Sequence, residues 1–163
     1  MFSIGQKLIY KNSGLCVYEG VQDKIFAGRS VSYHVLTPCT KTNSTVLIPC
    51  NNPQLTQQMR PMMTPQQAQE LLDGAARTPD EWLDKERERT AHFRAYLSDY
   101  DRGGLVCILR TLTHRKQQVE PLGRRLFAGD EKLLKEVQAL LCCEIAESLA
   151  LAEDEILSRL LAE

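Results

Sequence analysis

Six cysteines and three histidines carry most of the intrinsic reactivity of this 163-residue chain. Their spacing decides what chemistry they can do. Cys16, Cys39, Cys50, Cys107, Cys142 and Cys143 include no C-x-x-C pair of the kind that frames a zinc ribbon or a dithiol redox centre. Cys142 and Cys143 are sequence neighbours and point to different sides of a predicted helix. The set reads as reduced cysteines used as small apolar residues, with no metal site. His34, His92 and His114 fall on three different predicted elements. His34 alternates with Tyr33 and Val35 in a strand, a setting that suits a structural histidine better than a general base. A Cys–His pair assembled by the fold is the enzyme alternative. No local signature accompanies it: there is no glycine-rich phosphate loop, no G-x-S-x-G and no H-E-x-x-H. The acid-rich stretches at 81–88 and 153–155 interleave with basic residues or open a helix, and read as solvated faces or dipole partners.

The only tryptophan, Trp82, offers a different chemistry. Residues 78–97, TPDEWLDKERERTAHFRAYL, predict a helix in which Thr78 caps, Pro79 takes the first helical position and Glu81 completes a capping box. Trp82 then stands on the first turn. Residues 84–90 contain nothing apolar, so the ring has no apolar stripe to join on its own helix. Two readings follow. Trp82 anchors the helix start in a core, as tryptophans commonly do; or, set among Lys85, Arg87 and Arg89, it is a wedge presented to a partner such as nucleic acid. Arg115, Lys116, Arg124 and Arg125 join that patch if the next helix and its loop fold back alongside.

The elements that must position these residues divide in two. Within residues 3–50 the runs QKLIY, GLCVYEG, VSYHVLTP and STVLIP are β-branched or aromatic, with turn signals at 12–14, 27–29 and 41–44. Four or five short strands with no intervening helix predict a small antiparallel barrel or half-barrel of the SH3-like kind, with a free edge able to accept a partner's strand. Residues 53–64 are polar, carry two prolines and predict a linker between a domain at 1–52 and one at 65–163. The remainder reads as a bundle of about five helices. A capped start at Thr64-Pro65 leads into 65–73, and the Trp82 helix follows. A helix opened by Asp99 or Asp101 ends near His114-Arg115-Lys116, a long one covers about 130–152, and a short one starts at Glu153. The fold class is α+β.

A hydrophobic fraction of 43% and a charged fraction of 25% belong to a soluble globular protein. No apolar run has membrane-spanning length, and the first ten residues lack the pattern of a signal peptide, so the expectation is a cytoplasmic protein. The net charge of −1 hides a gradient: residues 1–64 and 77–125 are basic in balance and 126–163 acidic. That pattern does not suit coating nucleic acid along the whole chain, but allows a local patch.

The opening FSIGQKLIYKNSGLCVYEG and the later TVLIP resemble the start of the CarD/CdnL family. Trp82 followed by LFAGDEKLLKEVQALLCCEIAESLALAE resembles that family's closing A-G-E-K-x-x-L…L…E-x-A-x-A pattern, so the likeness runs over nearly the whole chain in order. Transcription-repair coupling factors carry a module similar to the N-terminal part alone. The resemblance implies a non-enzymatic bacterial transcription regulator without cofactor. Its Tudor-like N-terminal domain would dock on the β subunit of RNA polymerase. Its helical domain would meet promoter DNA at the upstream edge of the melted bubble, where a tryptophan wedges into the minor groove and prolongs the open complex. Carried over by position, Trp82 matches the wedge, Lys85, Arg87 and Arg115 match basic DNA contacts, and Lys24, with Ile25 and Phe26 beside it, matches the polymerase contact. Asp84 and Leu47 depart from the family, being basic in well-known members. The expected state is a monomer. The alternatives are a polymerase-binding adaptor with Trp82 buried and no DNA contact, and a thiol-dependent or metal enzyme.

Overall fold

The β-branched and aromatic runs of the N-terminal part pair into one antiparallel sheet. Its strands are β1 (Lys7–Tyr10), β2 (Gly14–Phe26), β3 (Arg29–Pro38), β4 (Val46–Pro49) and β5 (Met59–Pro61), in the order β4-β3-β2-β1-β5. The computed structural model describes residues 1–163, except for the side chain of Asn12. One face of the sheet buries Leu8, Tyr10, Cys16, Tyr18, Leu36 and Ile48, with Phe2, Val46, Leu55 and Met59 packed against them. The hydroxyl of Tyr18 and Nδ1 of His34 are 2.8 Å apart inside this unit, so His34 is a satisfied structural histidine.

Past a register shift between Tyr18 and Gly20, where Gly20 takes φ +99°, the β2–β3 pair leaves the core. All six residues from Val21 to Phe26 are exposed, so the distal half of the hairpin is a two-stranded ribbon. It closes at Ala27-Gly28 with φ of +51° and +76°, the doubly left-handed turn that matches strand twist.

Residues 53–64 predict a linker, and here the structure differs. Pro53–Thr56 forms a one-turn helix, α1, whose N-cap Asn52 accepts the Leu55 N–H at 3.2 Å. β5 pairs with β1 through Leu8↔Pro61, Ile9↔Arg60 and Tyr10↔Met59. Both prolines sit where no N–H is required, one at a helix start and one at the end of an edge strand, so the composition that suggests a linker is compatible with structure. The division into two compact units falls between Met62 and Met63.

The second unit, Met63–Glu163, contains α2 (Pro65–Gly74), α3 (Glu86–Asp99), α4 (Arg102–Val119), α5 (Ala128–Leu149) and α6 (Glu153–Leu160). Thr64 and Gln67 form the expected capping box of α2, and Asp101, not Asp99, caps α4 by accepting the Gly104 N–H at 3.0 Å. Phe93, Leu97, Ile108, Leu109, Val137, Leu141, Ile145, Ile156 and Leu160 are buried at helical spacing and form the core.

The helix expected from Thr78 does not begin there. Residues 78–85 are irregular and α3 starts at Glu86. The groups that would cap and continue a helix have partners on α3 and α4. The Glu81 N–H donates to Thr111 Oγ1 at 3.0 Å, and the Glu81 carboxylate accepts from Tyr96 Oη at 3.0 Å and pairs with His92. Arg89 Nη1 donates to the Leu83 carbonyl at 2.8 Å. Tertiary hydrogen bonds thus override a favourable local cap and lay the Trp82 segment across two helices.

Candidate nucleic-acid interface

Arg89 lies on the first turns of α3 and is completely buried. Its Nη2 meets Asp130 Oδ2 at 2.6 Å, and its Nε donates to the same carboxylate. Asp130 is itself buried near the start of α5, so the pair ties α5 to α3 across 41 residues of sequence. A buried charge needs such pairing, because unpaired it would cost several kcal/mol.

Trp82 rests on this pair. The Arg89 guanidinium carbon is 4.2 Å from the indole centroid, and that of Arg115, on α4, is 4.7 Å from it. The indole Nε1–H donates to Asp84 Oδ1 at 3.0 Å. Each cation–π contact contributes about 0.5–1 kcal/mol at an exposed site and about 2 where desolvated. The ring is half-buried. Neither sequence reading describes it fully: Trp82 is not sealed in a core, and it does not stand free on a helix turn. It is a half-buried ring held by two cations and one hydrogen bond.

The basic residues divide by role. Arg89, expected among the partner-facing cations, is structural, its charge matched by Asp130. Lys85 is exposed, 3.7 Å from Glu88, and Arg87 is exposed on the same turn. Arg115 is half-buried against Trp82. Lys116 is taken up by Glu131 at 2.9 Å, a contact that raises its pKa. Arg124 and Arg125 are exposed on the loop that leads to Phe127. The exposed cations of these segments are therefore Lys85, Arg87, Arg124 and Arg125, while Arg115 is the partly exposed cation in contact with the indole.

Two residues of this surface escape sequence reading. Asp130 has no local signal, since its partner is far away in sequence. Phe127 is 56% exposed, and the Arg89 guanidinium carbon lies 5.6 Å from its ring centroid. The only hint in the sequence is an aromatic directly before the Ala-Gly-Asp start of a helix.

Glu81 underlies the segment. Its pKa is lowered, first by the hydrogen bond from His92, against an opposing effect of burial and with help from Tyr96. Tyr96 is pushed up to about 12, chiefly by its hydrogen bond to Glu81 and then by burial. Burial pushes the Cys107 thiol up to about 11 and that of Cys142 to about 12, the direction opposite to the one that activates a nucleophilic cysteine. Among the described residues no three potential ligands cluster where a metal ion could bind, and no helix is long and apolar enough to cross a membrane.

In the N-terminal unit Lys24, Ile25 and Phe26 occupy the tip of the β2–β3 ribbon, Ile25 82% and Phe26 74% exposed. Alternation splits the three between faces. Lys24 and Phe26 share one face with their pairing partners Val31 and Arg29, while Ile25 lies on the other with Ser30. Leu47 is exposed on the edge strand β4.

Residues 2–63 match the family model of the CarD-like/TRCF RID domain. The match coincides with the N-terminal unit to within one residue at each end. This domain is an RNA polymerase-interacting module, a protein-interaction domain rather than a catalytic one. No curated protein matches the chain.

Proposed function

We propose, from the premise that the N-terminal unit belongs to the CarD-like/TRCF RID family, that this chain is a transcription regulator anchored to the β subunit of bacterial RNA polymerase. In this reading Trp82 enters the minor groove of promoter DNA at the upstream edge of the melted bubble and stabilises the open complex. Lys85, Arg87 and Arg115 hold the flanking phosphates. On the polymerase side, Lys24 and Phe26 supply one face of the ribbon and Ile25 the other.

The single observation that carries the reading is the half-buried indole held in contact with both Arg89 and Arg115. Fixing the ring in advance removes part of the ordering cost of binding. Partial insertion at a step already frayed beside a bubble avoids most of the unstacking cost, which is about a few kcal/mol in an intact duplex. The wedge therefore favours open over closed DNA, and only such differential affinity shifts an equilibrium. A preference of about 1.4 kcal/mol lengthens the open complex roughly tenfold if it acts wholly on the reverse step. A few phosphate contacts give weak DNA binding at physiological salt, and tethering through polymerase raises the local concentration.

The test compares promoter-complex lifetimes with the wild-type protein and with Trp82→Ala. A roughly tenfold shorter lifetime with unchanged polymerase binding supports the wedge. An unchanged lifetime would leave an adaptor that binds polymerase without touching DNA.

A further inference from the structure

Phe127 occupies the N-cap position of α5, with φ −54° and ψ +144° and no side-chain cap. N-caps favour Ser, Thr, Asp or Asn, whose oxygen satisfies a free helical N–H. An aromatic gives up that bond, and here more than half its surface stays in water. Sites where a sequence works against its local structure are where function is to be sought. The inner side of the ring has a structural task, covering the buried Arg89 guanidinium at 5.6 Å. The exposed side has none within the chain.

The same guanidinium carbon lies 4.2 Å from the Trp82 centroid and 5.6 Å from that of Phe127, which caps the separation of the two rings at about 10 Å, roughly three nucleotide steps along one strand. Arg124 and Arg125, both exposed, precede Phe127 on its loop, and Leu122 in the same loop is 70% exposed. An aromatic with cations on the approaching chain has the chemistry of a stacking platform for an unpaired base beside a backbone-tracking charge. Of the acidic residues of the first turn of α5, Asp130 is buried on Arg89 and Glu131 holds Lys116. Glu131 and Glu120 line a cleft with Arg125 and leave Arg124 outside it.

We propose that Phe127 is a second DNA-contacting side chain, which stacks an unpaired base next to the step that Trp82 enters while Arg124 and Arg125 follow the adjoining phosphates. The proposal rests on the reading of Trp82 as a wedge and extends it from one aromatic to two sharing one buried arginine. The occupant is single-stranded DNA at a junction, not a protein.

The experiment uses the full chain with RNA polymerase holoenzyme on a promoter fragment. Phe127→Ala and Phe127→Leu are compared with Trp82→Ala, and p-benzoylphenylalanine is placed at position 127 for photocrosslinking. Leucine keeps an apolar cover over Arg89 but lacks a flat ring, so its effect reports stacking and not loss of cover. Both Phe127 variants are expected to shorten the complex about five- to tenfold, the lower end of what one base–aromatic stack supplies. The photoprobe is expected to crosslink to DNA at the upstream fork. If Trp82→Ala shortens the lifetime but Phe127→Leu leaves it within about twofold, or the photoprobe joins only polypeptide, the Phe127 proposal is overturned and the Trp82 reading stands. If neither position matters, both fall.

Discussion

Arg89 and Trp82 are stacked with the guanidinium carbon 4.2 Å from the indole centroid, and the arginine of this pair is fully buried on Asp130. The ring proposed to meet DNA is thus supported by an ion pair that never meets solvent. What looks like a surface feature is coupled to the packing of α3 against α5.

Removing Asp130 should therefore be felt in two places. Asp130→Ala leaves Arg89 buried and unpaired, and is expected to destabilise the protein by about 3–5 kcal/mol. Urea unfolding measures the loss. Because Trp82 is the only tryptophan, its emission in the folded variant reports the support directly and should shift as the ring becomes mobile. An unaltered emission would detach the ring from the ion pair.

Two adjacent glycines at the start of α4 should respond oppositely to a methyl group. A Cβ on Gly104 would collide with the Tyr96 ring, itself held by Glu81, whereas one on Gly103 would come only to 3.5 Å from Asp101 Oδ1. Gly104→Ala is expected to cost about 1–3 kcal/mol through overpacking. Gly103→Ala should gain about 0.4–1 kcal/mol by restricting the unfolded chain. Thermal unfolding of the two variants decides whether Tyr96 packs on α4 as described.

The Glu81–Tyr96 contact contributes to the pH dependence at both ends. The folded-state pKa of Glu81 is depressed, so its contribution is present above its ordinary 4.5 and is lost as the pH falls through the depressed value. Tyr96 is raised from 10.0 to about 12, so its contribution is complete below pH 10 and disappears between 10 and 12. Glu81→Gln should flatten the acid limb of the stability profile, and Tyr96→Phe the alkaline limb. Phenolate absorbance near pH 12 should lose the contribution of one group in Tyr96→Phe relative to the wild type.

On the β2–β3 ribbon, effects should sort by face. Lys24→Glu is expected to weaken polymerase capture while leaving the proposed weak DNA binding unchanged. Phe26→Ala should follow Lys24, since the two share a face, while Ile25→Ala, on the opposite face, should act independently. Pull-down with purified polymerase measures all three. Equal loss from every variant would mean that the tip, not one face, is the contact.

Much of this molecule is legible in the order of its residues. The strands announce themselves by β-branched runs and by turn residues such as Ala27-Gly28, and the helices by caps such as Thr64 with Gln67 and by buried spacing such as Leu133, Val137 and Leu140. Local signals failed where distant partners decide. The cap at Thr78 gives way to a bond from the Glu81 N–H to Thr111 and one from Arg89 to the Leu83 carbonyl, and Pro61 reads as a linker residue until β1 pairs with β5. Within the site, Trp82 is conspicuous by its type. The task of Arg89 depends on Asp130, 41 residues away, and no spacing rule connects them.

The most direct measurement places 2-aminopurine at the upstream edge of the bubble in a promoter fragment bound by RNA polymerase and follows its fluorescence as this protein is added. Insertion of Trp82 beside the probe should change its stacking, so the wild-type protein is expected to alter the signal and Trp82→Ala, bound to the same polymerase, to leave it unchanged. An equal change from both proteins would show that the indole does not enter the DNA.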